Sequence, residues 1–120
     1  SVEEIESIKG IFTHDDEIVL GVMDAIKNYN GPAKLDIRLI SGVGGRRENV
    51  ELFKNPGIEG CALMTYTFNP GMIREAVKKG VDVLKGETLA DHYLLPTRMI
   101  DASNVDEYMA SEEFKIRYSI

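Results

Sequence analysis

The chain has 120 residues and a net charge of −6, with 43% hydrophobic and 28% charged residues. This composition is typical of an ordered globular protein, and the length allows one domain, residues 1–120, but not two. The acidic balance argues against nucleic acid and anionic membranes as main partners. Cys61 is the lone cysteine, which excludes an intrachain disulfide, and its apolar neighbours are typical of a small buried hydrophobe rather than a nucleophile.

Apolar residues recur with strand and helix periods in alternation along the chain. Strand patterns cover residues 8–13, 35–41, 60–65 and 93–100, and the third is apolar enough to predict a central strand covered on both faces. Helical patterns cover residues 16–29 and 47–53, and another begins at Asn69-Pro70 and is closed by Gly86. A capping-box-like sequence at residues 103–106 predicts a last helix.

This alternation predicts an α/β fold. We expect a three-layer sandwich in which a mostly parallel sheet of about four strands is flanked by helices and joined by right-handed crossovers. Such a small sheet is typical of one part of something larger. The helix after Asn69 carries the clearest apolar stripe of the chain, formed by Ile73, Ala76, Val77, Gly80, Val81 and Leu84.

Polar segments follow the first three predicted strands, at residues 14–16, 41–46 and 66–69. Because the carboxyl ends of parallel strands share one edge of a sheet, we expect these segments to converge there. Helix N-termini at the same edge add free N–H donors. Carboxylates accept hydroxyl hydrogens in strong charge-assisted bonds, and an aromatic face packs on the C–H face of a sugar ring. The mixture predicts a site for a neutral polyhydroxylated ligand.

Ten residues in these segments are candidate ligand-binding residues: His14, Asp15, Asp16, Gly42, Val43, Gly44, Arg46, Tyr66, Thr67 and Asn69. Each has a structural alternative. Asp16 is most simply the N-cap of the helix that follows, which leaves Asp15 as the better ligand candidate. In the structural alternatives, His14 only packs under its loop, and the glycines serve only a tight turn. Arg46 is then solvated or flanks a helix. Residues 42–47 lack the third glycine of a dinucleotide fingerprint and the phosphate-loop lysine, so both nucleotide interpretations are weak.

Four segments resemble, in sequence order, the type I periplasmic sugar-binding proteins of ABC transporters. They are residues 12–21 (FTHDDEIVLG), 39–45 (LISGVGG), 62–72 (ALMTYTFNPGM) and 95–108 (LPTRMIDASNVDEY), which together span nearly the whole chain. Asp15 stands where the family usually has a ligand-binding Asn. Val43 or Gly44 stands near the position of a family Asp, and Tyr66 or Thr67 near the third-loop ligand contact.

The resemblance implies a Rossmann-like C-terminal lobe that binds a sugar or a sugar-like polyol. The implied partners are the absent N-terminal lobe of the same protein, which closes with this one around the ligand, and a membrane permease. No catalysis is implied, and neither a metal nor a cofactor. The location would be periplasmic or extracytoplasmic, with a lipid anchor in a Gram-positive cell. A sheet edge left open by the missing strands would promote pairing with a second copy as a homodimer.

Other classes stay open. The effector-binding domain of a lactose-repressor-class transcriptional regulator is related to the same family, although the ending at residues 104–108 favours transport. A receiver-like signalling domain fits the length, the charge and the acidic pair, but Tyr66 stands four residues before Pro70, where the phosphoacceptor aspartate should lie. A hydrolase using Asp15 and Asp16 lacks a supporting His or Asp cluster.

Overall fold

The computed structural model describes residues 1–68 and 70–116. In chain order the elements in these ranges are α1 (Val2–Ser7), β1 (Gly10–Phe12), α2 (Asp16–Lys27), β2 (Leu39–Gly44), α3 (Arg47–Val50), β3 (Ala62–Thr67), α4 (Met72–Leu84), β4 (Met99–Asp101), α5 (Val105–Ala110) and α6 (Glu112–Lys115). Among these described residues, no helix is long and apolar enough to cross a membrane.

The four strands form one open sheet in the order β1-β2-β3-β4. The first three strands run parallel, and β4 pairs antiparallel with β3. In the register, Ile40 is paired with both Ile11 and Leu63, and Thr65 is paired with Ile100. The predicted α/β class is therefore confirmed: the sheet is mostly parallel and flanked by helices, which is consistent with a three-layer sandwich.

The hydrophobic core lies against one face of this sheet. Alternate strand residues point to opposite faces, so Ile40, Leu63 and Ile100 share the covered face. Helix residues Val19 and Tyr108 belong to the same buried cluster. Phe12, Leu39, Tyr66 and Met99 alternate with these core positions and are exposed.

All four strands differ from the prediction: β1 is shorter, Gly10–Phe12 rather than residues 8–13, and β3 is shifted by two residues, Ala62–Thr67 rather than residues 60–65. β2 begins at Leu39 and runs through Gly44, so residues 42–44 belong to the strand rather than to a loop. β3 is central as predicted, but its burial alternates along the strand, so it is not evenly covered on both faces. In the last predicted strand, residues 93–98 form no ladder and only Met99–Asp101 pairs with β3.

The last helices also begin differently from the prediction. The predicted N-cap of α4, Asn69, lies outside the described residues, and the helix has Gly71 at that position. The predicted capping box at residues 103–106 does not form, because the side chain of Asn104 turns back to the strand. Its Oδ1 accepts from the backbone N–H of Asp101 at 2.9 Å, and its Nδ2 donates to the carbonyl of Met99 at 2.9 Å.

Helix α4 lies in a protruding segment, residues 70–97, named here the α4 excursion. The helix is amphipathic as predicted, yet none of its residues is buried, and Ile73 and Leu84 are 63% and 87% exposed. The chain measures 63 × 33 × 23 Å, and its radius of gyration is 18.4 Å, against about 14 Å for a compact domain of this length. The exposed area is 8068 Å², roughly 1,600 Å² more than a compact chain of this mass exposes. Apolar surface that a compact domain of this length would bury is therefore exposed to solvent.

Candidate functional site

The three polar segments meet at the carboxyl edge of the parallel strands and form a cleft of about 320 Å³. Its lining residues are His14, Asp15, Val43, Gly44, Arg46, Phe68 and Pro70. Five of the ten candidate ligand residues are thus brought together. The segments converge because β1, β2 and β3 are parallel neighbours, as the crevice rule for such sheets predicts.

Asp15 is the N-cap of α2 and also lines the cleft. Its backbone is extended (φ −152°, ψ 153°), and its Oδ1 accepts from the backbone N–H of Glu17 at 2.8 Å. The expectation that Asp16 caps this helix was wrong by one residue. Asp15 stays half exposed, and among the described residues no protein group donates a hydrogen bond to its Oδ2. One carboxylate oxygen is therefore free to accept from a ligand.

Asp16 lies fully buried beneath the cleft rather than in its lining. Its Oδ2 accepts from the backbone N–H of Arg46 at 2.7 Å, and its Oδ1 accepts from the Thr65 hydroxyl at 2.7 Å. This carboxylate joins the start of α2 to the end of β2 and to β3. Gly42 leaves the room that this carboxylate occupies, because a Cβ at that position would lie only 2.3 Å from Asp16 Oδ1. Neither Asp16 nor Gly42 lines the cleft, and both support its floor.

Arg46 is buried rather than solvated, and it flanks a helix as the N-cap residue of α3. Its Nη1 contacts Glu17 Oε1 and lies 3.9 Å from Asp15 Oδ1. The guanidinium is thus balanced inside the site by acidic groups of the first loop. Asp15 and Glu17 together carry more charge than this one cation, so the rim of the cleft on the first-loop side is net negative.

The third segment is arranged differently from the prediction because β3 continues to Thr67. Thr67 is buried; its carbonyl accepts from the Thr97 hydroxyl at 2.7 Å and its Oγ1 accepts from the Arg98 N–H at 3.1 Å. Tyr66 is exposed on the strand and is absent from the lining of the cleft. Asn69 lies outside the described residues.

Phe68 and Pro70 line the cleft, and the sequence analysis did not select them. The backbone N–H of Phe68 donates to the carbonyl of Gly44 at 3.2 Å, which places the ring beside the end of β2. The ring is half exposed. If the predicted strand had ended at Thr67, as β3 does, Phe68 would have been the first residue beyond the sheet and therefore a candidate for the site.

Two aromatic residues hold the loops around the cleft. His14 is exposed, and its ring lies edge-on to Phe12 with 5.1 Å between centroids. Tyr108, buried on α5, donates its hydroxyl to the carbonyl of Gly45 at 2.7 Å. Gly45 has φ +76°, a left-handed conformation that favours glycine. Helix α5 therefore fixes the turn that follows β2.

Across the described residues, no group of three or more His, Cys, Asp or Glu side chains could hold a metal ion. Burial raises the pKa of the Cys61 thiol, which lies away from the cleft. The site can therefore offer hydrogen bonds, charge and an aromatic face to a small ligand.

No protein-family model matches the sequence, and a search of curated proteins found no match. Among solved structures, the chain is similar to a Mycobacterium smegmatis protein in complex with β-D-fucofuranose, with a TM-score of 0.69 at 20% sequence identity. The alignment covers 91% of this chain and 34% of that one. This chain thus spans about a third of the length of that protein. At this level of identity the similarity shows that the two share the fold.

Proposed function

We propose that this chain is the C-terminal lobe of a type I sugar-binding protein that serves an ABC transporter. It binds a sugar or a sugar-like polyol in the cleft and performs no chemistry. The observation that carries the proposal is the cleft itself, where Asp15, Arg46 and Phe68 meet at the carboxyl edge of a parallel sheet. The fold likeness to a protein in complex with β-D-fucofuranose supports a carbohydrate as the ligand.

The chemistry of the lining residues suits a sugar. Asp15 has a free carboxylate oxygen to accept a hydroxyl hydrogen, and Arg46 places a cation beside it that keeps the pair in position. The half-exposed ring of Phe68 offers a face to the C–H groups of a pyranose or furanose. His14 adds a ring nitrogen at the rim.

The surface of the α4 excursion supports a second lobe as the partner. Ile73, Val77 and Leu84 form an apolar stripe without cover, and a protein–protein interface of standard size buries only about 800 Å² on each side. The excess exposed area is about twice that figure. A second α/β lobe that docks on α4 would complete the ligand site from the opposite side. A membrane permease would then recognise the closed form of the two lobes outside the cytoplasm.

Because the proposed second lobe supplies the other half of the site, we expect this chain alone to bind its sugar weakly. The experiment is a titration of the ¹⁵N-labelled chain with neutral monosaccharides, following amide shifts of residues 14, 15, 43, 44 and 68 by NMR. We expect saturable shifts at these positions, and sugar acids should give none, since the rim is net negative. Absence of saturable shifts with every neutral sugar would contradict the proposal.

A matched pair of variants tests the role of Asp15. Asp15→Asn keeps an N-cap side chain but removes the charge, so we expect about a five- to tenfold weaker affinity from the loss of charge assistance. Asp24→Asn makes the same change on an exposed turn of α2 and should bind as the wild type does. Equal affinity of the two variants would remove Asp15 from the site.

A further inference from the structure

The cleft has two chemically different walls. Asp15, His14 and the Arg46 guanidinium form a polar wall on the side of the first loop, while Val43, Phe68 and Pro70 supply carbon surface. We propose that the cleft selects a neutral monosaccharide in which a methyl group or a deoxy position replaces a hydroxyl, with that carbon held against the apolar wall. The proposal rests on the proposed sugar-binding function and names its substrate class.

The apolar wall is fixed by the strands rather than by mobile side chains. Val43 belongs to β2, opposite Tyr66 of β3, and it is only partly exposed. The hydrogen bond from Phe68 N–H to Gly44 carbonyl places the Phe68 ring next to that strand end. The side chains of Val43, Phe68 and Pro70 contain no hydrogen-bonding atom. A ligand hydroxyl pressed against these three side chains loses its water without gaining a partner from them, which is unfavourable, whereas a methyl group gains contact.

The polar wall limits the charge of the ligand. The Arg46 guanidinium is already engaged by Glu17 and faces Asp15 at 3.9 Å, so it is not free to neutralise an incoming anion. The carboxylates of Asp15 and Glu17 repel a sugar acid or a sugar phosphate. A neutral ligand with adjacent hydroxyls on one edge fits this wall.

The cleft on this chain has room for a sugar ring. Its volume of about 320 Å³ lies at the lower end of the roughly 300–1,000 Å³ common for small-molecule sites. One ring with hydroxyls on one edge and a methyl group on the other is a deoxysugar.

The test compares sugars that differ only at carbon 6. L-rhamnose is paired with L-mannose, and D-fucose with D-galactose, in NMR titrations of the full chain. In each pair that binds, we expect the methyl sugar to bind at least about fivefold more tightly, the factor that corresponds to the lower bound for burying a hydroxyl without a hydrogen bond. Equal affinity within a pair, or tighter binding of the hydroxymethyl sugar, overturns the inference and leaves the proposed function intact. Absence of binding by all four sugars, when another neutral monosaccharide binds, overturns the inference alone, and absence of binding by every neutral monosaccharide overturns both.

A substitution at Val43 shows whether the apolar wall causes the selection. Val43→Thr has nearly the same shape but places a hydroxyl in the wall. The affinity for the methyl sugar should then equal that for the hydroxymethyl sugar or fall below it. Val83→Thr makes the same change at an exposed position of α4 and should keep the wild-type preference. An unchanged preference in Val43→Thr would refute the assignment of the methyl group to this wall.

Discussion

The buried carboxylate of Asp16 gives the sharpest test of how the cleft is built. It accepts one hydrogen bond from the backbone of Arg46 and one from the Thr65 hydroxyl, each 2.7 Å long. In Asp16→Asn the amide oxygen can accept from only one of these two donors, and the NH₂ group replaces the acceptor at the other, so one buried donor hydrogen loses its partner. We expect a loss of about 3 kcal/mol in the free energy of unfolding, because a charge-assisted bond is removed and a buried donor is left unpaired, partly offset by easier burial of the amide.

Urea unfolding followed by far-ultraviolet circular dichroism measures this loss. The control is Asp24→Asn, which makes the same change at an exposed position of the same helix. That variant should stay within about 0.5 kcal/mol of the wild type. A third variant, Thr65→Val, removes one of the two donors, and combining it with Asp16→Asn should give a non-additive loss, since the two residues are in contact.

An Asp16→Asn variant as stable as Asp24→Asn would refute this reasoning. Such a result would mean that water or a rearranged loop satisfies the Arg46 N–H and the Thr65 hydroxyl. The carboxylate would then not determine how β2, β3 and α2 meet beneath the cleft.

Two further predictions concern buried positions near the sheet. Gly42→Ala should destabilise the fold by about 1–3 kcal/mol through overpacking against Asp16 and Val19, whereas Gly21→Ala, on an open turn of α2, should stabilise it by about 0.5–1 kcal/mol; urea unfolding of both variants checks the contrast. Because burial raises the pKa of Cys61, its thiolate is rare at neutral pH, so iodoacetamide should modify the native thiol slowly and the urea-unfolded thiol fast. Equal rates in the two states would contradict this.

The class of fold could be predicted from the sequence because it depends on periodicity. The apolar residues of α2 recur at helical spacing, and the observed helix, Asp16–Lys27, begins at the predicted residue. The antiparallel direction of β4 could not be predicted, since a three-residue strand carries no sign of its orientation.

The end of β2 shows why boundaries near glycines are hard to predict. Gly42 and Gly44 indicated a loop, because glycine is common in turns. In the structure they lie in the strand, where small size lets the Asp16 carboxylate approach the backbone. The contact with Asp16, which is distant in sequence, therefore determined the conformation of Gly42 and Gly44, although their local sequence pattern indicated a loop.

The candidate site was predicted well where its position depends on the sheet edge and poorly where it depends on single residues. The first two segments supplied His14, Asp15, Val43, Gly44 and Arg46 to the cleft. In the third segment, the two extra residues of β3 moved Tyr66 and Thr67 away from the lining. Two adjacent aspartates also look alike in sequence, and only burial distinguishes the capping residue from the internal one.

The α4 excursion leaves the sheet after β3 and returns at β4, and hydrogen bonds at Thr67 fasten the two crossings side by side. Phe68 and Pro70, which wall the cleft, stand at the departing crossing. A partner that docks on α4 is therefore joined to the sheet immediately beside the cleft. If docking shifts the Phe68 ring, docking and ligand binding are thermodynamically linked in both directions.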